Sequence, residues 1–389
     1  MKTFYLSVLV FVLSLQSINA QWQQVYGSPY IYSIHSQGSN IFSGTGYGLF
    51  VSSNNGSNWT QTSLSNNVFS MAVSGSYLIA GISNGILRSS NNGINWQTTN
   101  ISGQTIRSFA VSGNNVFAGY TNGVYISTNN GGNWSSSSIN FEVYALAVSG
   151  NNIFAGTYSM GAFVSGNNGA NWSQTSLNNR SIRSLTASGN YIYAGTFAYG
   201  VYVSTNNGVN WTQYLPGKNI FSLSSSGSSV YAGCDSGIYV SNDNGVSWIQ
   251  KNEGLGNSPS IGSTHIYNNY LFAGKESLSG IGIFRRPISE LSSLSQISTE
   301  VPKLFTLEQN YPNPFNPVTN IEFSVPKSAF VRLAVFDVSG REIEILVSDK
   351  LSPGTYNADW DASKYSSGIY FYTITSKSFS ETKRMILIK

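Results

Sequence analysis

The chain has few charged residues. Only 9% of its 389 residues are Asp, Glu, Lys or Arg, and its formal net charge is +4. Residues 21–290 hold nine Lys or Arg and six Asp or Glu, whereas residues 291–389 hold ten of each. Nucleic-acid binding requires clustered basic side chains that neutralise phosphates, so this composition argues against a nucleic-acid partner.

Cysteine is almost absent, since Cys234 is the only one. One cysteine cannot form an internal disulfide, and we expect a small buried side chain there rather than a reactive thiol. Beyond the first residues, no apolar run is long enough for a membrane-spanning helix. Aromatic residues nevertheless make up 14% of the chain, which favours many short strands joined by polar turns over disorder.

The first twenty residues have the layout of a secretory signal peptide. Lys2 supplies a positive start, residues 4–15 are apolar, and the small residue Ala20 ends the segment. The apolar stretch is short for a membrane anchor, so we expect recognition by the inner-membrane export machinery and cleavage between Ala20 and Gln21.

A repeat of nearly constant length follows. The motif Ser-x-Asn/Asp-x-Gly-x-x-Trp occurs six times, with the tryptophans 37–39 residues apart. Each period contains alternating apolar runs and Gly-containing turns that indicate four strands, which is typical of one blade of a β-propeller. The polar position of the motif is expected to hold its turn by hydrogen bonds. It is occupied by Asn54, Asn91, Asn129, Asn167, Asn206 and Asp243.

A second element of the repeat, a small residue followed by Gly, occurs seven times. The missing seventh tryptophan strand is found at the other end of the chain, where Trp22 precedes Trp59 by 37 residues. The sequence therefore predicts a seven-bladed β-propeller over residues 21–288 whose N-terminal strand completes the last blade. Such closure removes two exposed sheet edges. The glycines are Gly44, Gly81, Gly119, Gly156, Gly195, Gly233 and Gly274.

The tryptophan motif resembles the BNR or Asp-box repeat, although five of its six copies have Asn at the Asp position. The resemblance implies a structural turn on the face opposite the usual ligand face. Sialidases, some inverting glycosidases, sortilin-like receptors and photosystem assembly factors share such repeats, so the motif implies a propeller and does not imply an enzyme.

One position of the repeat is a candidate ligand site. Twelve residues before each repeated glycine, where an innermost strand opens, four blades carry an aromatic residue and two carry arginine. A ring of these side chains near the channel mouth would stack on a planar or sugar ligand and pair with an anion. Packing between blades, with the arginine stems covering the channel, is the alternative role. The residues are Tyr32, Phe69, Arg107, Tyr144, Arg183 and Phe221, with Gly262 in the seventh blade.

Acidic residues suited to catalysis are scarce. Glycoside hydrolysis needs two positioned carboxylates, or a Tyr nucleophile with acid help, and only Glu142, Asp235 and Glu276 are expected near the ligand face. A sialidase-like site also needs an arginine triad and a Phe-Arg-Ile-Pro motif near the N-terminus. The similar segment 284–287 is in the last blade and has Arg in place of Ile. We therefore expect no catalytic residues.

His35 and His265 both lie nine residues before their glycine, in blades that adjoin in a closed ring. We expect the two rings to approach each other. A stable metal site needs more ligands, so the sequence favours packing at the closure and predicts no metal and no cofactor.

The composition changes after a Ser-rich linker, residues 289–303. Alternating apolar residues and turns over residues 304–389 predict an all-β, Ig-like sandwich of about seven short strands. Its opening is similar to that of type IX secretion C-terminal sorting domains of type A, and the similarity continues to the C-terminus. An ordinary accessory sandwich is the alternative. The matching residues include Asn310, Tyr311, Pro312, Asn313, Pro314, Phe315, Asn316, Pro317, Gly340, Gly368 and Lys383.

The resemblance of the tail implies passage through the periplasm, recognition by the type IX outer-membrane translocon, and removal by a sortase that can attach the cargo to lipopolysaccharide. We expect a non-catalytic binding protein, secreted from or displayed on a Gram-negative bacterium, with a surface glycan or protein as its ligand. A glycan-active enzyme, sialidase-like or another glycoside hydrolase, and a surface scaffold are the alternatives.

Overall fold

A computed structural model describes residues 21–27, 30–257, 259–275, 281–291, 294–298, 300–362, 365–377 and 379–389. The expected signal peptide, including Ala20, lies outside the described residues, as does Glu276. Within the described ranges, no helix has the length and apolar character needed to cross a membrane.

Residues 23–287 form seven antiparallel sheets of four strands each. We call these sheets blades one to seven, in the order of their innermost strands along the chain. The innermost strands are Ile31–Gln37, Val68–Ser74, Ile106–Ser112, Val143–Ser149, Ile182–Ser188, Ile220–Ser226 and Ile261–Tyr267. The second strands are Asn40–Thr45, Tyr77–Ile82, Asn115–Tyr120, Asn152–Thr157, Tyr191–Thr196, Ser229–Cys234 and Tyr270–Lys275.

The third strands are Gly48–Ser52, Gly85–Ser89, Gly123–Ser127, Gly161–Ser165, Gly200–Ser204, Gly237–Ser241 and Gly282–Pro287. The outermost strands of blades one to six are Thr60–Gln61, Gln97–Ser102, Ser135–Ser136, Ser173–Asn178, Thr212–Tyr214 and Ile249–Gln250. Each innermost strand contacts the innermost strands of the blades before and after it, and those of blades seven and one contact each other, so the sheets form a closed ring.

The N-terminal strand closes the ring, as the sequence predicts. Gln23–Tyr26 pairs antiparallel with Gly282–Pro287 and is the outermost strand of blade seven. The indole of Trp22 is buried, and its Nε1 donates a hydrogen bond of 2.7 Å to the carbonyl oxygen of Lys251 in the segment that follows blade six. The N-terminal strand therefore joins the end of the ring to its beginning.

The repeated glycine of each second strand lies where the next blade packs. A Cβ atom on Gly44 would be 2.5 Å from the carbonyl oxygen of Val68 in blade two. On Gly156 it would be 2.4 Å from Cγ2 of Ile182 in blade five. Because these distances are far shorter than van der Waals contact, a larger residue would push the blades apart. Packing between blades therefore explains why glycine recurs here.

The tryptophan motif forms a hydrogen-bonded turn after each third strand of blades one to six. In blade three, the Ser127 hydroxyl donates to Asn129 Oδ1, which also accepts the backbone N–H of Asn133. Asn130 has φ of +57°, a conformation that Asn adopts more readily than most residues. Trp134 Nε1 donates to the carbonyl oxygen of Gly131, which fixes the indole against the blade. Asp243 in blade six accepts the equivalent bonds.

The C-terminal residues form a second unit of two four-stranded sheets. One sheet contains, in spatial order, Leu294–Ser298, Gly354–Asp361, Val318–Val325 and Thr306–Leu307. The other contains Glu342–Leu351, Ala329–Phe336, Gly368–Ser376 and Phe379–Leu387. Their inner faces share one apolar core that includes Trp360, Phe323 and Tyr372. Residues 304–389 contribute seven of these strands, as expected, and Leu294–Ser298, from the expected linker, is the eighth.

Part of the expected linker, residues 289–303, has regular secondary structure. Ile288–Glu290 is a short 3₁₀ helix, and Leu294–Ser298 is a strand that pairs with Gly354–Asp361 of the C-terminal sandwich. Leu294 packs against the core of that sandwich. The sequence does not reveal this strand, because Leu294–Ser298 is short and Ser-rich. Its hydrogen-bond partners come from Gly354–Asp361, which lies far away in the sequence.

Candidate functional site

The six predicted ring side chains meet around one cavity. It has a volume of about 260 Å³ and lies at the end of the channel where the innermost strands begin. A second cavity of about 220 Å³ shares these side chains and adds Gly262 and later residues of the innermost strands. All six side chains are half-buried, so each presents part of its surface to the cavity. The lining residues of the first cavity are Tyr32, Phe69, Arg107, Tyr144, Arg183 and Phe221.

The ring has an aromatic side and a cationic side. Tyr32 and Phe69, from blades one and two, have their ring centroids 4.8 Å apart. Across the cavity, Tyr144 has a guanidinium on each side, since the Cζ atoms of Arg107 and Arg183 lie 4.5 Å and 4.4 Å from its ring centroid. Cation–π attraction of this kind orients a guanidinium without using its hydrogen-bond donors.

The two arginines differ in how their charge is balanced. Arg107 forms an ion pair with Glu142, at 2.9 Å between Nη2 and Oε1, and its Nε donates to the same oxygen. Arg183 has no carboxylate within ion-pair distance among the described residues, and its buried Nε makes no hydrogen bond there. Among the described residues, the cavity therefore has one guanidinium that is paired with a carboxylate and one that is not.

Aromatic side chains outside the predicted ring extend this cationic side. Arg183 Cζ lies 5.3 Å from the ring centroid of Tyr158 and 5.7 Å from that of Phe197. Next to them, Arg180 stacks on Tyr199 at 4.2 Å. Tyr158, Phe197 and Tyr199 remain 49%, 47% and 45% exposed, so three neighbouring aromatic rings are accessible on this side of the cavity.

These exposed rings were missed in the sequence, although a signal for them exists. They belong to the loops between the second and third strands. That loop has two residues in blades one, two, three and six but three residues in blades four and five. An insertion confined to particular repeats commonly marks the binding face of a repeat protein.

The described acidic residues of the expected ligand face are each held by another side chain. Glu142 is the counter-ion of Arg107, and Asp235 Oδ2 accepts a hydrogen bond of 2.6 Å from Asn219 Nδ2. The sialidase-like segment serves the ring closure instead. Its Arg285 stacks on Tyr270, and its buried Arg286 pairs with Glu253.

The two histidines meet between blades one and seven, as expected. Their ring centroids are 5.4 Å apart, and His265 Nε2 lies 2.9 Å from the Ser36 hydroxyl. Burial lowers the pKa of His35 to about 4. Burial, and then the proximity of His35, lower the pKa of His265 to about 3. In the described part of the chain, no three His, Cys, Asp or Glu residues are grouped as metal ligands.

Cys234 is buried at the end of a second strand, as expected, and burial raises the pKa of its thiol. Its Sγ lies 3.3 Å from the carbonyl oxygen of Gly237. A thiol held in this way is poorly suited to nucleophilic chemistry, because the thiolate is the reactive form.

The Pro-rich opening of the tail is anchored to the sandwich at two buried residues. Asn310 Nδ2 donates to Thr319 Oγ1, and the backbone N–H of Asn310 donates to the Tyr372 hydroxyl. Phe315 packs beside Trp360, with ring centroids 5.4 Å apart, and pairs through its backbone with the last strand. The other residues of this opening are more exposed. They are Tyr311, Pro312, Asn313, Pro314, Asn316 and Pro317.

The remaining matching residues of the tail lie on its turns and strands. Gly340 has φ of +78° in a turn where Asp337 accepts two backbone N–H groups. Gly368 opens a strand, and Lys383 lies on the last long strand, 3.4 Å from Glu381.

Comparison with known proteins identifies the tail. Residues 309–389 match the model of the secretion system C-terminal sorting domain. The search of curated proteins gave no match.

Solved structures similar to the chain are β-propeller proteins. The extracellular domain of the putative one-component system BT4673 from B. thetaiotaomicron has a TM-score of 0.60 at 18% identity, over 80% of this chain and 45% of that one. PorZ, a surface component of the type IX secretion system of Porphyromonas gingivalis, has a TM-score of 0.54 at 13% identity, over 93% of this chain and 60% of that one. YCF48 from Cyanidioschyzon merolae has a TM-score of 0.55 at 14% identity, over 69% of this chain and 98% of that one.

The chain thus spans about half the length of the first two structures, and at these identities the likeness establishes the fold alone. The tail match is independent of that likeness and concerns export. The chain is therefore a β-propeller protein that carries a type IX secretion C-terminal sorting domain and is secreted or placed at the cell surface.

Proposed function

We propose that this protein is a non-catalytic binding module whose ligand site is the cavity at the mouth of the propeller. The observation that supports this most strongly is the convergence of six equivalent repeat positions, four aromatic and two basic, on one cavity. Aromatic faces and guanidinium groups suit stacking and anion pairing. Glu142 is paired with Arg107, and Asp235 accepts a hydrogen bond from Asn219. Because glycoside hydrolysis needs available carboxylates, these interactions support binding over hydrolysis.

The binding proposal is tested with the mature chain and a double variant, Arg107→Ala with Arg183→Ala. Both proteins are screened against a glycan array and against surface proteins. We expect the wild type to bind a ligand that the double variant does not. Arg88→Ala is the control, because Arg88 stacks on Tyr77 and does not line the cavity. Equal binding by the double variant, or turnover of a model polysaccharide, would refute the proposal, and self-association without a ligand would favour a scaffold.

The proposed route to the surface uses both ends of the chain. The inner-membrane export machinery removes residues 1–20, leaving Gln21 as the first residue. The type IX translocon then recognises the folded tail, 304–389, and a sortase releases the propeller, 21–288. The tail match and the burial of Asn310 and Phe315 in a complete sandwich support this route.

The route is tested by localising the full chain and a chain without residues 304–389 in a host with a type IX system. We expect the full chain at the surface or in the medium and the shortened chain in the periplasm. Periplasmic retention of the full chain would contradict the route.

A further inference from the structure

The cavity is asymmetric, and its asymmetry points to a class of ligand. We propose that Arg183, together with the exposed rings of Tyr158, Phe197 and Tyr199, binds a carboxylate-bearing sugar of an acidic polysaccharide. This inference rests on the proposed function, because it assigns the ligand class of the same cavity.

The first step of the argument is the charge of Arg183. Arg107 is neutralised by Glu142, whereas Arg183 faces only aromatic rings among the described residues and keeps a buried Nε without a hydrogen bond. An anion in the cavity would supply the charge partner that Arg183 lacks among the described residues. A carboxylate fits this need, since its two oxygens accept two parallel N–H bonds from one guanidinium. The uncompensated arginine is therefore the anion-binding group.

The second step concerns the exposed rings. Tyr158, Phe197 and Tyr199 lie on the three-residue loops found in blades four and five, whereas blades one, two, three and six have two-residue loops. The exposed rings of Tyr158 and Phe197 leave flat aromatic surface next to Arg183, and the ring of Tyr199 lies beside Arg180. Flat aromatic surface suits the apolar face of a sugar ring. The pair Arg107–Glu142 supplies donors and an acceptor close together, as hydroxyl groups require.

The third step concerns the size of the ligand. The cavity of about 260 Å³ and the cavity of about 220 Å³ that shares its side chains are each smaller than the ~300–1,000 Å³ of pockets that enclose drug-sized ligands. Together they have room for only a short stretch of a polymer, so the rest of the ligand must cross the rim. The segments that join blades four, five and six place Arg180 and Lys218 there, both stacked on tyrosine rings. A rim with two further cations suits a chain of repeated acidic units, as in a polyuronate.

The test uses the mature chain and defined polymers as probes. Binding of polygalacturonate oligomers is measured by titration calorimetry beside fully methyl-esterified oligomers of the same length, which keep the sugar and lose the charge. We expect the methyl ester to bind at least tenfold more weakly, and Arg183→Gln to lose at least tenfold for the acid, as charged hydrogen bonds of this kind imply. Phe197→Ala should weaken both polymers, because it removes stacking area. Arg88→Gln, a stacked arginine outside the cavity lining, should bind as the wild type does.

The outcomes separate this inference from the proposed function. Equal binding of acid and ester, or unchanged affinity of Arg183→Gln, overturns the carboxylate subsite. If neutral glycans bind and Tyr144→Ala abolishes that binding, the binding function stands and the acidic ligand class is wrong. If polyglutamate binds through Arg183 and polygalacturonate does not, the ligand is an acidic peptide, which also overturns the inference. If no probe, glycan or surface protein depends on any cavity residue, both proposals fail.

Discussion

The histidine pair predicts that acid destabilises the closure of the propeller. His35 and His265 face each other across blades seven and one, with pKa values lowered to about 4 and about 3. In the unfolded chain both have the ordinary value of 6.5. Below pH 6.5 the two histidines therefore bind protons in the unfolded state but not yet in the folded state. The free energy of unfolding accordingly falls as the pH falls. The loss of stability is complete once the pH is below the pKa values of both histidines in the folded state.

The size of this loss follows from the two pKa values. One pKa unit corresponds to about 1.4 kcal/mol, so two fully desolvated rings would cost several kcal/mol. Both side chains keep some solvent access, which screens the effect, and we expect about 3 kcal/mol for the pair between pH 6.5 and 4. A loss of this size should lower the unfolding temperature by several degrees.

The assay compares the wild type with the double variant His35→Ala and His265→Thr. Ala72 and Thr186 occupy the equivalent positions of other blades, so the new side chains already fit the repeat. Urea unfolding of both proteins at pH 7, 6, 5 and 4.5 gives the difference in free energy of unfolding at each pH. Carboxylates titrate equally in both proteins and cancel. The difference should shift in favour of the variant as the pH falls, and parallel pH profiles would refute the reasoning.

Three further changes test the closure, the packing between blades and the tail. Trp22→Ala should reduce the stability of the propeller by about 3–5 kcal/mol, measured by urea unfolding, because it empties a buried indole site; an unchanged midpoint would contradict closure through this residue. Gly156→Ala should cost about 1–3 kcal/mol in the same assay, since its Cβ would meet Ile182. Gly166→Ala, whose Cβ would meet nothing closer than 3.4 Å, should be nearly neutral. Phe315→Ala should destabilise the sandwich by about 3–5 kcal/mol and reduce secretion, whereas Phe330→Ala, at a position that is 59% exposed and outside the sorting motif, should do neither.

Much of the fold could be predicted because the repeat places the same local signals in successive blades. Asn and Gly at the tryptophan motif select a tight turn wherever they occur, and the glycine of the second strand marks a fixed packing distance. There are seven repeated glycines but only six motif tryptophans. This difference identified Trp22 as the seventh tryptophan and predicted that the N-terminal strand completes the last blade. The same register identified the six positions that meet at the cavity, because equivalent residues of a closed ring must lie at the same height.

The sequence by itself therefore determined the four-stranded repeat, its closure by the N-terminal strand and the secretion domain of the tail. Tertiary structure alone decided that Glu142 neutralises Arg107, while Arg183 has aromatic neighbours and no carboxylate partner in the described part of the chain. It also decided that Leu294–Ser298 joins the C-terminal sheet. The physical reason is that turns and strand patterns depend on neighbouring residues. The choice among nearby partners for a charge or a strand edge depends instead on distances between segments far apart in the chain.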